Sequence, residues 1–124
     1  MKNKFKYQFD NITGIFYKTY IGEITIDDIK SSWKYAFEKK IIPSGTKGFI
    51  VNYKKAKLKM NINEHLLIAN FYKNNLAVFG GSKIAVITKR PKDIVIPFLV
   101  ETKDDGYHSK PFSTISSAIE WVLK

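Results

Sequence analysis

Apolar and polar residues alternate at the start of the chain. Within residues 4–10, aromatic side chains occupy every second position, and lysine or another polar residue occupies the positions between them. A period of two is typical of a strand that buries one face. Residues 10–14 contain Asp, Asn and Gly, which favour a turn, and a second apolar segment covers 15–21. We therefore predict an antiparallel hairpin with one buried face and one face that carries lysine.

Helical and extended patterns then alternate along the chain. Thr25 and the two acids that follow Ile26 resemble a capped helix start, and apolar residues keep helical spacing as far as Phe37. The apolar runs at 48–53 and 83–88 predict strands. Between them, the spacing of apolar residues predicts a second helix over about 62–74.

Two prolines constrain the third helix. Because proline is tolerated only in the first turn of a helix, Pro91 and Pro97 predict a start at 95 or 96. We expect this helix to run through 103, with Asp93 as its cap. A short strand at 107–112 is predicted to follow.

A last helix completes the pattern. Ser113 or Thr114 can cap it, and its apolar positions between 115 and 122 share one face. The order β-β-α-β-α-β-α-β-α predicts an α/β fold with a mostly parallel central sheet of about five strands, an N-terminal antiparallel hairpin and about four flanking helices. We expect residues 1–124 to form a single domain.

Charge is the most unusual part of the composition. The formal net charge is +10, which could attract an anionic partner through a long-range field. However, 20 of the 21 basic residues are lysine and only Arg90 is arginine, whereas readers of bases and phosphates favour the arginine fork. The joint abundance of Lys, Ile, Asn, Tyr and Phe is also what an AT-rich genome produces. A functional basic surface and a merely solvating one both remain open, and nucleic-acid binding is disfavoured.

The cysteine content and the length of the apolar runs indicate where in the cell the protein is located. The chain has no cysteine, which excludes disulfides and Cys-ligated metals and is compatible with a reducing compartment. No apolar run approaches the ~20 residues that cross a bilayer, and the basic start at 1–6 is not followed by the apolar core of a signal peptide. We expect a cytoplasmic protein without a transmembrane segment.

The most distinctive segment lies between Gly48 and Glu64. An apolar strand leads into a lysine-rich stretch, which we predict to be a loop over 54–60, and Asn61 then opens a helix. Open α/β domains place ligands at this end of a strand. Between Phe49 and Asn63 there is no Ser, Thr, Cys, His, Asp or Glu, so the segment has charge but neither a nucleophile nor a base.

Other candidate chemistry is sparse. His65 and His108 are the only histidines and lack a partner at metal-ligand spacing, so we predict no metal site and no cofactor. The acids Asp104 and Asp105 are expected to be solvated near a turn. The segment 80–83 has glycines and a lysine but precedes a strand, whereas a phosphate-binding loop must follow one. We interpret it as a turn.

Three segments resemble a known fold. They are Gly22-Glu23-Ile24-Thr25 followed by Asp28 and Trp33, Gly81-Ser82-Lys83-Ile84-Ala85-Val86, and Phe112-Ser113-Thr114 followed by Ala118 and Trp121-Val122-Leu123. Their order and spacing resemble the STAS fold, and within it the bacterial SpoIIAA-like (STAS/SEC14-like) group of uncharacterised proteins. The resemblance implies a domain that is generally not an enzyme: an anti-sigma-factor antagonist, a regulatory module of a transporter, or a suspected binder of nucleotides or lipids.

The sequence departs from that family at its regulatory switch. In the antagonists a strand ending in Asp leads to a phosphorylatable Ser at the start of the second helix. Here Asn52 stands about where that Asp would be, and Asn61 or Ile62 where the Asp-Ser pair would fall. Asparagine cannot be switched by phosphorylation, so we expect no phosphoserine switch.

These observations favour a non-enzymatic binding or regulatory module with a lysine-rich face. We predict that it binds an anionic small molecule, a lipid headgroup or an acidic protein; a homodimer also remains open. The candidate ligand-binding residues are Lys54, Lys55, Lys57, Lys59, Asn61, Asn63, Thr88, Lys89 and Arg90. The alternatives are a weak nucleic-acid binder and a cryptic enzyme with a polar pocket near Asn52, Thr88 and His108.

Overall fold

The computed structural model describes residues 4–124. Residues 1–3, which belong to the predicted domain and to its basic start, lie outside the described residues. The strands are β1 (Phe5–Asp10), β2 (Ile15–Ile24), β3 (Gly48–Leu58), β4 (Lys83–Ile87) and β5 (His108–Phe112). The helices are α1 (Ile26–Glu38), α2 (His65–Lys73), α3 (Leu76–Phe79), α4 (Pro91–Glu101) and α5 (Ile115–Val122), with a 3-10 turn at Ile62–Glu64.

The five strands form one sheet in the order β1-β2-β3-β4-β5. β1 and β2 are antiparallel, and each later strand pairs in parallel with the one before it. Because parallel neighbours are joined by right-handed crossovers, the connecting helices lie on one face of the sheet. The predicted α/β class, the hairpin and the mostly parallel five-stranded sheet are confirmed.

The two faces of the sheet are covered unequally. α1, α2 and α4 pack on one face over a core rich in aromatic side chains, in which Trp33 is fully buried. α5 covers the other face, where Ala118 and Val122 pack on a smaller aliphatic cluster. Trp121 is half-buried beside this cluster and contacts Phe112 with ring centroids 5.5 Å apart. The two faces therefore have separate cores.

The first and last helices have caps that the sequence predicted. Thr25 and Asp28 form the predicted capping box of α1, with each side chain accepting a hydrogen bond from the backbone N–H of the other. Thr114, one of the two candidate caps of α5, accepts from the N–H of Ser117. Both caps occupy backbone donors that a helix leaves free at its start.

The predicted start of the third helix is wrong. α4 begins at Pro91, whose missing N–H would be unpaired in the first turn anyway, and continues through Pro97. Asp93 is not the cap, because it lies inside the helix and is buried, with its carboxylate accepting the N–H of Leu58 at 3.4 Å. α3 was also not predicted. Within the described residues, no helix is long and apolar enough to cross a membrane.

Candidate functional site

The lysine-rich segment is part of a strand, so the predicted loop over 54–60 is wrong. β3 runs to Leu58 and pairs with the end of β2 up to Ile24. The pairing with β4 stops earlier, where Asn52 lies opposite Ile87. The last six residues of β3 therefore form a two-stranded extension with β2 beyond the edge of the parallel sheet.

Alternation along this extension separates its apolar and charged side chains. Ala56 and Leu58 are buried and belong to the larger core. Lys55 and Lys57 alternate with them and are exposed, so they lie on the opposite face. The segment is extended because its buried apolar positions repeat every second residue, and the same repeat places Lys55 and Lys57 on one side.

The extension and the loop that follows β4 enclose an open cleft of about 590 Å³. We call it the basic cleft. It is lined by Gly22, Glu23, Lys54, Lys55, Ala56, Lys57, Lys89, Arg90 and Pro91. The structure thus brings three lysines of β3 together with Lys89 and Arg90, which lie more than 30 positions away in the sequence.

The basic cleft has a strongly positive lining. Five of its lining residues are cations, and Glu23 is the one acid among them. Within residues 4–124, none of the five is in an ion pair. The one carboxylate of the lining, that of Glu23, is paired with Lys59 at 3.6 Å instead. The N-terminus of α4 also faces this cleft through Pro91, and its dipole adds partial positive charge. The arrangement favours an anion.

The remaining predicted site residues lie outside the cleft lining. Lys59 directly follows β3 and contacts Glu23 at the far end of the extension, and Asn63 is exposed in the 3-10 turn. Asn61 opens that turn and donates its N–H to the carboxylate of Glu64 at 2.8 Å. Thr88 is 3% exposed, and its Oγ1 has no hydrogen-bond partner within the described part of the chain. The predicted set of nine therefore separates into five residues at the cleft and four elsewhere.

The polar pocket considered for a cryptic enzyme does not form. His108 begins β5 opposite Lys83, at the edge of the sheet where the parallel strands start. Asn52 lies where the pairing of β3 with β4 ends, and Thr88 directly follows β4, so both are at the opposite edge of the parallel sheet from His108. The Asn52 side chain accepts the N–H of Lys54 at 2.8 Å and lines a separate cleft that also contains Tyr17. The three side chains considered in this alternative are therefore not brought together.

Several other candidates have local structural roles. The Asp104 carboxylate accepts the N–H and the hydroxyl of Ser109 at 2.6 and 2.7 Å, although burial still raises the pKa of Asp104 above its ordinary value. His65 is buried, with its Nδ1 2.7 Å from the carbonyl of Ile62. Across residues 4–124, no three His, Asp or Glu side chains are grouped closely enough to hold a metal ion.

The main residue that the sequence reasoning missed is Lys18. The hairpin was expected to carry its lysines on the outer face, but Lys18 is 0% exposed on the inner face of β2. Its Nζ donates to the hydroxyl of Ser32 and lies 3.7 Å from the centroid of the Trp33 ring. Burial lowers the pKa of Lys18 well below its ordinary value. The sequence could have predicted this burial, because Lys18 lies between Phe16 and Tyr20 and residues two apart on a strand share a face.

Comparison with known proteins adds the fold but no activity. No family model matches the chain, and no curated protein matches it. A solved structure of an uncharacterised protein of the DUF3478 family with a SpoIIAA-like fold, from Shewanella loihica PV-4, is similar with a TM-score of 0.64. The two chains are 11% identical, and the similarity covers 98% of each. Together with the sheet order and the hairpin, this similarity shows that the chain has the SpoIIAA-like α/β fold.

Proposed function

We propose that the protein is a non-enzymatic, cytoplasmic binding module of the STAS-like type whose basic cleft binds an anionic group of a ligand or partner. The observation that carries the proposal is the convergence of Lys54, Lys55 and Lys57 with Lys89 and Arg90 around one open cleft. Like charges placed together repel one another, so such a cluster is best stabilised by a bound anion. The chain supports this function without the phosphoserine switch, because Asn61 occupies the start of the turn before α2.

The positions of the lysines support binding over a structural role. Lys54, Lys55 and Lys57 are exposed, and none is in an ion pair within the described residues. No carboxylate in the described part of the chain therefore neutralises these three charges by an ion pair. The strand itself is held by the buried positions Ala56 and Leu58.

Replacing Lys54, Lys55 and Lys57 with glutamine is expected to weaken anion binding while leaving the fold intact. Inorganic triphosphate is a suitable probe, and isothermal titration calorimetry measures its affinity. We expect the triple variant to lose at least about tenfold in affinity, or 1.4 kcal/mol, because three of the five cations are removed. Its free energy of unfolding should change by less than about 0.5 kcal/mol, since exposed side chains contribute little.

A charge-matched control separates the cleft from the overall charge. Lys6 on β1, Lys34 on α1 and Lys39 directly after α1 are exposed, and none of them lines the cleft. Their replacement with glutamine lowers the net charge equally and should leave triphosphate affinity within about twofold, because screening at physiological salt limits the reach of a charge to about 8 Å. Equal losses in both triple variants, or no binding by the wild type at low salt, would contradict the proposal.

A further inference from the structure

The outer face of α4 is apolar. A helix on the surface of a globular protein normally turns polar residues towards solvent. The inner face of α4 is buried through Ile96 and Val100, but beyond the first turn its exposed positions are also apolar. Ile94, Val95 and Phe98 are exposed, and Phe98 retains 60% of its surface. This face has no partner within the described residues.

Apolar side chains beside α4 extend this face. α4 packs against α2 and against the 3-10 turn. Ile62 of that turn is 55% exposed, and Leu66 is exposed one helical turn later. Phe71 is the side chain of α2 that stacks on Phe37 of α1, and Leu66 is about 140° away from it around the helix, which places Leu66 on a different side of α2. We call the exposed set the apolar ridge. It consists of Ile62, Leu66, Ile94, Val95 and Phe98.

Positive charge borders one end of the apolar ridge. Lys89 and Arg90 of the basic cleft directly precede α4, and Lys92 lies in its first turn. Lys59 is exposed shortly before the 3-10 turn that contains Ile62. A second copy of the chain docked on the ridge would bring two such basic borders together, each on a protein of net charge +10. A negatively charged surface would neutralise them instead.

We propose that the apolar ridge and the basic cleft together bind the surface of an anionic lipid bilayer. The ridge side chains enter the boundary between headgroups and acyl chains, as the apolar face of an interfacial helix does. The cations of the cleft contact lipid phosphates, at roughly fivefold in affinity for each cation near the surface. The inference rests on the proposed function in that it takes the cleft cations as the groups that meet phosphate. It adds the partner and a second surface.

The test is co-sedimentation with lipid vesicles. The probes are vesicles of phosphatidylcholine and vesicles that contain 30% phosphatidylserine, both at about 0.1 M salt, where exposed charges still interact over about 10 Å. Wild-type protein is expected to bind the anionic vesicles and to bind pure phosphatidylcholine at least about tenfold more weakly. Ile94→Ser with Phe98→Ser should lose about tenfold or more in vesicle affinity, because two exposed apolar anchors are removed.

Matched apolar positions on other surfaces provide the control. Ile12 is 93% exposed in the hairpin turn and Leu123 is exposed after α5. Serine at both positions removes two exposed apolar side chains but leaves the ridge intact, so vesicle affinity should remain within about twofold. Ile62→Ser with Leu66→Ser tests the ridge independently if the α4 variant is unstable to heat.

Triphosphate binding separates this inference from the proposed function. The α4 variant should bind triphosphate as the wild type does, whereas the variant of Lys54, Lys55 and Lys57 should lose both triphosphate and vesicles. Normal triphosphate binding without vesicle binding would overturn the membrane inference and leave the cleft proposal standing. Equal vesicle binding by ridge and control variants would overturn it as well. So would a dimer of the wild type, seen by sedimentation, that the ridge substitutions dissociate.

Discussion

Replacing Lys18 with methionine is expected to raise the free energy of unfolding by about 1–3 kcal/mol near neutral pH, the range for burial of an incompletely paired polar group. The Lys18 amine is fully buried, and no carboxylate in residues 4–124 forms an ion pair with it. Methionine is unbranched, of similar length and adaptable in shape. Ser32 would keep two hydrogen bonds, one from Tyr20 and one to the carbonyl of Ile29, so no buried group is left unpaired.

The gain from this substitution should depend on pH. Burial lowers the pKa of Lys18 in the folded protein, whereas an unfolded lysine has a pKa of about 10.4. Between the folded and unfolded values the unfolded chain binds more protons, so wild-type stability rises with pH across that interval. Methionine cannot titrate. The stability difference between variant and wild type should therefore shrink steadily as the pH approaches 10.

Guanidinium chloride denaturation at pH 6, 8 and 10 measures this difference. Subtracting the wild-type free energy of unfolding from that of the variant at each pH cancels the titration of other groups, such as Tyr53, whose pKa is raised by burial. Lys6→Met is the control, because Lys6 is an exposed lysine on the adjacent strand β1, and we expect a change within about 0.5 kcal/mol at every pH. A Lys18 variant less stable than the wild type at pH 6 would show that the surrounding aromatic rings hold the amine in its charged form.

Most of the fold was predictable because it depends on local patterns. The hairpin alternation, the Thr25 cap and the order of elements each reflect short-range spacing that one sequence displays directly. Pro97 misled the prediction of α4, since a proline inside a helix is unfavourable in general. Its side chain is buried in this structure, so tertiary packing offsets the lost hydrogen bond.

The candidate site was predictable in part, for a different reason. Its lysines were visible as a group, and the alternation of Ala56 and Leu58 with them could have predicted a strand rather than a loop. Asn61 and Asn63 lie outside the cleft lining because β3 extends past the end of β4. The length of this extension depends on how the strands pair in the sheet, which local sequence patterns do not show. Burial of Lys18 likewise depends on aromatic residues that come from three elements, β1, β2 and α1.

The second large effect is expected for Trp33→Ala, which should lower the free energy of unfolding by about 3–5 kcal/mol. Trp33 is 0% exposed and packs edge-on against Phe49 and Phe79, with ring centroids 5.9 and 5.1 Å away. Alanine would leave a cavity at the centre of the larger core that these rings cannot fill. Such a loss is a large fraction of the ~5–15 kcal/mol that stabilises a typical protein. The midpoint of denaturant unfolding measures it.

Two further variants make this prediction specific to the site. Trp121→Ala removes the same side chain from a half-buried position on α5, so its cost should be less than half that of Trp33→Ala. Trp33→Phe should fall between them, because the ring contacts are partly kept and the indole N–H has no hydrogen-bond partner in residues 4–124 to lose. Equal losses for the two alanine variants would show that the smaller core on the α5 face contributes as much to stability as the aromatic core around Trp33.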